Sequence, residues 1–160
     1  MNKLILAIIL SMLPVSELRG GLPLGIVYAL ENNFSIPLVF VVVLLANMVA
    51  VFLVYLFLEV LHKNFMKIAA YRKAFGIYLE RVREKIEKVE KKMKLLGFFA
   101  LTLFVAIPLP VTGAWTGTFI AWFLGLEKKK AIPAILLGIL IAGTIVLLAT
   151  LGIIGFVNIL

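Results

Sequence analysis

From Ile36 to Leu58 the chain runs for 23 residues without a charge. As an α-helix such a run is about 35 Å long, enough to cross a hydrocarbon core of about 30 Å. In lipid a backbone must satisfy its own N–H and C=O groups, which leaves helices or a closed barrel. A second uncharged run occupies 131–160, with Pro133 near its start, where a helix tolerates proline. Of the 160 residues 64% are hydrophobic and 15% charged, which excludes an ordinary soluble domain. The reading is an all-α integral membrane protein.

The rest of the chain is built from shorter apolar pieces. Residues 4–13 are interrupted by Pro14 to Pro23, and 24–30 end at Glu31-Asn32-Asn33. Residues 95–107 are interrupted by Pro108 to Gly113, and 114–126 end at Glu127-Lys128-Lys129-Lys130. Each half therefore has a half-length segment, a Pro/Gly break, a second half-length segment, a polar turn and a full span. Leu13-Pro14 pairs with Ile107-Pro108, Ile36-Pro37 with Ile132-Pro133, and Ala46-Asn47 with Ala142-Gly143. Interrupted apolar segments at matching places in two halves point to a transporter-type site. Met1 to Leu13 also has the look of a signal-peptide apolar region, but its counterpart at 95–107 favours a retained segment.

Charge decides how the pieces cross. If every broken pair crossed once, residues 62–94 and 127–130 would lie on opposite faces. If each pair turns back, both lie on one face. Residues 62–94 carry 11 basic and 4 acidic side chains, and 127–130 add three lysines, so the positive-inside rule favours the second arrangement. The expected fold is an inverted repeat, each half a re-entrant helical hairpin plus a transmembrane helix, joined by a cytoplasmic amphipathic helix. Residues 1–61 are the first repeat, 62–94 the linker and 95–160 the second, in one membrane domain. The protein is expected in the cell membrane, multi-pass, with 62–94 and 127–130 cytoplasmic and both termini outside.

The net charge of +8 is thereby an orientation signal, and no nucleic-acid partner is expected. The linker places Ile68, Phe75, Val82, Val89 and Leu96 seven apart, with Leu79, Ile86 and Met93 as a second series. That heptad stripe, with Glu84/Lys88, Glu87/Lys91 and Glu90/Lys94 pairs, predicts a helix over 65–96. It could pack across the ends of the spans, lie on anionic lipid, or form a homodimer with a second copy.

The chain has no Cys, Asp or Gln, and His62 is its one histidine. A Ser/His/Asp triad or a clustered metal site cannot be assembled, so neither an enzyme, a metal nor a cofactor is expected. Chemistry concentrates at the breaks. A charge at membrane depth usually pairs or lines a wet cavity, which singles out Glu17 and Arg19. Arg19 would contact an anion, and Glu17 would neutralise Arg19 or carry a proton. Gly20 and Gly21 would allow the break, and Pro23 would open a helix whose free N–H groups face the cavity. The second break supplies Pro108, Pro110, Thr112 and Gly113, with Thr112 as N-cap of a helix near Ala114 and with Trp115 and Thr116 lining the cavity. A plain interfacial aromatic is the competing reading of Trp115. Asn47, midway along the first span, needs a partner for its amide, and the tips of the hairpins could supply it.

Ser16-Glu17-Leu18-Arg19-Gly20-Gly21-Leu22-Pro23-Leu24-Gly25 and Pro108-Leu109-Pro110-Val111-Thr112-Gly113-Ala114-Trp115-Thr116-Gly117 resemble the paired motifs of the small multidrug export protein family. That family is similar in turn to the DedA/VTT superfamily, whose members have two re-entrant loops. The resemblance implies transport, and its DedA side implies movement of lipids, including polyprenyl phosphate carriers. This chain lacks the Asp residues and flanking helices common in DedA proteins. The expected function is a small transporter or exporter with a central site formed by both breaks. The alternatives are a lipid or polyprenyl-phosphate flippase and a non-transporting scaffold that recruits through the 65–96 helix. Membrane lipids, or an anionic amphiphile such as a lipid phosphate, are the expected partners.

Overall fold

The computed structural model describes residues 3–69, 72–73, 76–77, 90–109 and 112–157. The heptad stripe expected over 65–96 falls largely outside them, and so does Pro110. Among the described residues there are six helices and no strand: α1 (Lys3–Met12), α2 (Glu17–Glu31), α3 (Ile36–Phe65), α4 (Glu90–Ala106), α5 (Ala114–Phe123) and α6 (Lys128–Val157).

Helices α3 and α6 have 30 residues each and are long and apolar enough to cross a membrane. Val41, Leu45, Val49, Phe52 and Leu56 are exposed along α3, opposite the buried Val39, Val43, Asn47, Val51 and Tyr55. A helix that is apolar on its exposed face as well as its buried one suits lipid. Both spans outrun the uncharged runs. α3 continues past Leu58 through Glu59, and His62 and Lys63 lie in its last turn. Cations there complement the helix dipole. α6 begins at Lys128, so the three lysines form its first turn and Pro133 lies inside it. Lys130 is held by Glu127 at 2.7 Å, which offsets part of the charge at that helix start.

The first break is shorter than expected. Helix resumes at Glu17, so Gly20, Gly21 and Pro23 sit inside α2 and do not form the interruption. The reason is packing. A Cβ on Gly21 would lie 2.4 Å from the Ala7 carbonyl oxygen and 2.8 Å from the Ser11 nitrogen. The backbones of α1 and α2 thus touch at a point where no side chain fits. Pro23 has no N–H to offer the Arg19 carbonyl one turn earlier, a local defect that α2 carries.

Helices α1 and α2 form an antiparallel hairpin. Lys3 Nζ lies 2.5 Å from Glu31 Oε2, joining the start of one helix to the end of the other. α1 and α2 pack on each other and on α3, and α4 and α5 pack on each other and on α6. Between the halves, α3 meets α5, α2 meets α6, and α3 meets α6. At the end of α3, Glu59 is ion-paired with Lys128. There too the His62 ring meets Trp122 edge-on, 5.4 Å between centroids. The ends of α3 and α5 and the start of α6 therefore gather at one end of the molecule. The start of α1 and the end of α2 lie at the other. Leu22, Ile26, Val39, Val43, Ile135 and Ile139 fill the core between the halves.

Candidate functional site: the junction of the two breaks

A helix that stops leaves N–H or C=O groups without partners, and in an apolar interior those must be found elsewhere. The helices stop twice partway along, at 13–16 and at 107–113; Leu13, Val15, Ile107 and Leu109 are exposed there, and the two breaks meet at the buried Glu17, Gly113 and Ala114. Each interruption shares hydrogen bonds with side chains of the other half as well as of its own.

Glu17 opens α2 with a positive φ of 45° and is 5% exposed. Its carboxylate reaches the start of α5. Oε2 accepts from the Ala114 N–H and Oε1 from the Trp115 N–H, each at 3.1 Å. A negative charge is thus held where the α5 dipole favours it. Gly113, just before, makes room. Its φ is 152°, and a Cβ there would lie 1.8 Å from Glu17 Oε2.

Arg19 acts on the same break. Nη1 donates to the Leu109 carbonyl and Nη2 to the Thr112 carbonyl, so one guanidinium clamps the backbone between α4 and α5. Thr112 is not the N-cap of α5. Gly113 holds that position without a side-chain bond, and the capping oxygens are those of Glu17. The Thr112 hydroxyl instead bonds the Ile107 carbonyl at 2.6 Å and accepts from the Leu109 N–H at 3.2 Å, folding the break on itself.

The second half returns the contact. Trp115 Nε1 donates to the Met12 carbonyl at 2.9 Å and caps the end of α1. Asn47 Nδ2 donates to the Ser11 carbonyl at 2.6 Å, which fixes the orientation of the amide. Its partner is indeed the tip of a hairpin. Asn47 Oδ1 is buried and finds no hydrogen-bond partner among the described residues.

Glu17, Arg19, Asn47, Pro108, Thr112 and Gly113 line one cavity, whose apolar wall includes Val105, Ile139, Ala142 and Val146. Its volume is about 10 Å³, room for about one water. This is a closed arrangement: a drug-sized ligand needs a pocket of about 300 Å³ or more. Gly20, Gly21 and Pro23 are not in its wall, nor are Trp115 and Thr116, which stand half-buried in the first turn of α5.

The sequence reading missed the backbone acceptors Ser11, Met12 and Leu109, for which a sequence carries no signal. It also missed Tyr55, whose hydroxyl is buried without a partner among the described residues. A polar side chain inside an uncharged run, two turns from Asn47, was the available clue.

Residues 17–145 match the family described as "Putative small multi-drug export protein", a match that begins at Glu17, directly after the first interruption, and takes in the whole of the second. No curated protein matches the chain, and no solved structure does.

Proposed function

The chain belongs to the putative small multi-drug export protein family, and from that premise we propose that it is a small membrane transporter whose central site lies where two re-entrant hairpins meet. One observation carries the reading: each half supplies side chains that bond the other half's interrupted helices, around a small cavity that both halves line. Non-helical backbone is tolerated at membrane depth where it is buried in protein or lines a cavity. Transporter sites are built at such paired interruptions.

Three further observations support the arrangement in the bilayer. The Lys3–Glu31 pair brings the first hairpin back to the level at which it entered, as re-entry requires. Exchanging α1, α2 and α3 with α4, α5 and α6 carries each helix packing described above onto another of them, or in the case of α3–α6 onto itself, as an inverted repeat requires. The Glu59–Lys128 pair is compatible with 62–94 and 127–130 on one face, which the positive-inside rule makes cytoplasmic. Cysteine labelling tests this cleanly, because the chain has no native Cys. Lys129→Cys and Asn64→Cys should react from the same face of the membrane and Asn33→Cys from the opposite one. Reaction of Lys129→Cys and Asn33→Cys from one face would overturn the re-entrant topology.

Transport would proceed by opening the junction to one face and then the other, which breaks the Arg19 and Glu17 bonds in turn. A second reading, movement of a lipid phosphate or other anionic amphiphile, is favoured by Arg19. Its hydrogen-bond partners here are the Leu109 and Thr112 carbonyls, and a guanidinium matches the planar, bidentate geometry of a carboxylate or phosphate. Proteoliposomes offered cationic drugs, phospholipids and polyprenyl phosphates separate the two readings. Movement of one class is expected, and Arg19→Ala should slow it at least about tenfold through loss of a charge-assisted contact. If no class moves above protein-free liposomes, the transporter reading fails.

A further inference from the structure

Two buried polar atoms have no use in the junction just described, and both lie on α3. Asn47 lines the central cavity, and the Tyr55 hydroxyl sits two turns further along. Neither finds a partner among the described residues, although Asn47 is 1% and Tyr55 5% exposed. An unpaired buried polar group is costly, and an apolar side chain of the same shape would avoid the cost. Val51, Val54 and Leu58 complete the same buried face, which ends beside the Glu59–Lys128 ion pair. Lys128 Nζ stands 5.9 Å from the centroid of the Tyr55 ring.

The opposite direction is different. From Ala142, α6 runs towards the other end through Val146 and Thr150, and the buried Thr150 hydroxyl is satisfied by the Val146 carbonyl at 2.7 Å. Unmet polar need is thus found on the side that leads from the cavity to the charged end.

We infer that the Asn47–Tyr55 face of α3 lines a water path from the central cavity to the end marked by Glu59 and Lys128. The path is closed in this structure. When the junction opens towards that end, α5 and α6 part from α3, and water donates to Asn47 Oδ1 and bonds the Tyr55 hydroxyl. The lining is neutral, so the path accepts water and the polar part of a passing solute and does not fix an ion. The inference rests on the transporter reading for its purpose, but its test reads hydration and not flux.

A thiol reacts as the thiolate, in water, so labelling rates report hydration. Val51→Cys and Val54→Cys, each alone in the full chain in liposomes, are compared with the lipid-facing Phe52→Cys. A membrane-impermeant thiol reagent is added to one face at a time. Val51→Cys and Val54→Cys should react at least about tenfold faster than Phe52→Cys, and from the face that also labels Lys129→Cys. Adding Tyr55→Phe removes the unpaired hydroxyl, favours the closed state and should slow labelling at position 51 about fivefold. Rates at 51 and 54 no higher than at 52 overturn the path, as does labelling from the other face alone. A rate unaffected by Tyr55→Phe removes Tyr55 and overturns it too. Labelling as expected without flux would sink the transporter reading and keep the path, and flux without labelling would do the reverse.

Discussion

Replacing Glu17 with alanine should destabilise the protein by about 2–4 kcal/mol: one carboxylate satisfies two N–H groups, each orphaned donor costs about 1–3 kcal/mol, and relief of the buried carboxylate's own desolvation offsets part of the sum. For a chain of this length that is a fall in Tm of roughly 5–15 °C, measurable by thermal unfolding in detergent. Glu17→Gln retains an acceptor for one of the two donors but turns an amide N–H towards the other, so its loss should be about half as large. An unchanged Tm for Glu17→Ala would show that α5 is capped by something else. The same result bears on function. Were Glu17 merely a proton carrier, its alanine variant would fold normally and fail only in flux. With the capping geometry, flux and stability fall together, and Glu17→Gln is the variant from which a transport role can be read.

Gly113→Ala is the second large effect. The backbone at φ 152° is one that side chains rarely adopt, which costs about 1–3 kcal/mol. The new methyl would also lie within 1.8 Å of the Glu17 carboxylate, and forcing the two apart costs about 1–3 kcal/mol more. A total near 3–5 kcal/mol makes this substitution as damaging as a large core truncation. The two contributions are separable. In a Glu17→Ala background the contact disappears and the strain alone remains, so the two losses should sum to more than the double variant shows. A Gly113→Ala penalty of equal size in both backgrounds would mean that these residues do not touch.

The parts of the fold that were legible in the sequence are those written in local chemistry. A 23-residue uncharged run gives a helix long and apolar enough to cross a membrane, and Pro14 and Pro108 mark where α1 and α4 stop. Glu17, Arg19 and Asn47 were visible because polar groups are costly in such surroundings. What was misread depends on neighbours remote in sequence. Gly20, Gly21 and Pro23 carry every local sign of a break, yet α2 runs through them, because the absent Cβ of Gly21 admits the backbone of α1. Thr112 has the right side chain for an N-cap and the right position beside Ala114. It was displaced by a carboxylate from the other end of the chain, which no window around Thr112 contains. Trp115 reads as an interfacial ring until its indole N–H is seen on the Met12 carbonyl.

The reciprocal capping also sets a timetable for biosynthesis. The partners of Glu17 and Arg19 are made 90 to 98 residues after them. At about 5–20 residues per second, a ribosome takes roughly 5–20 s to cover that distance. Throughout that interval Glu17 and Arg19 can offset each other's charge, but the Ala114 and Trp115 N–H groups, the Leu109 and Thr112 carbonyls and the Trp115 indole that complete the first hairpin do not yet exist. The first half is therefore completed only when the second half has been made. A chain truncated before Trp115 would present quality-control proteases with a surface that no later residue will cover.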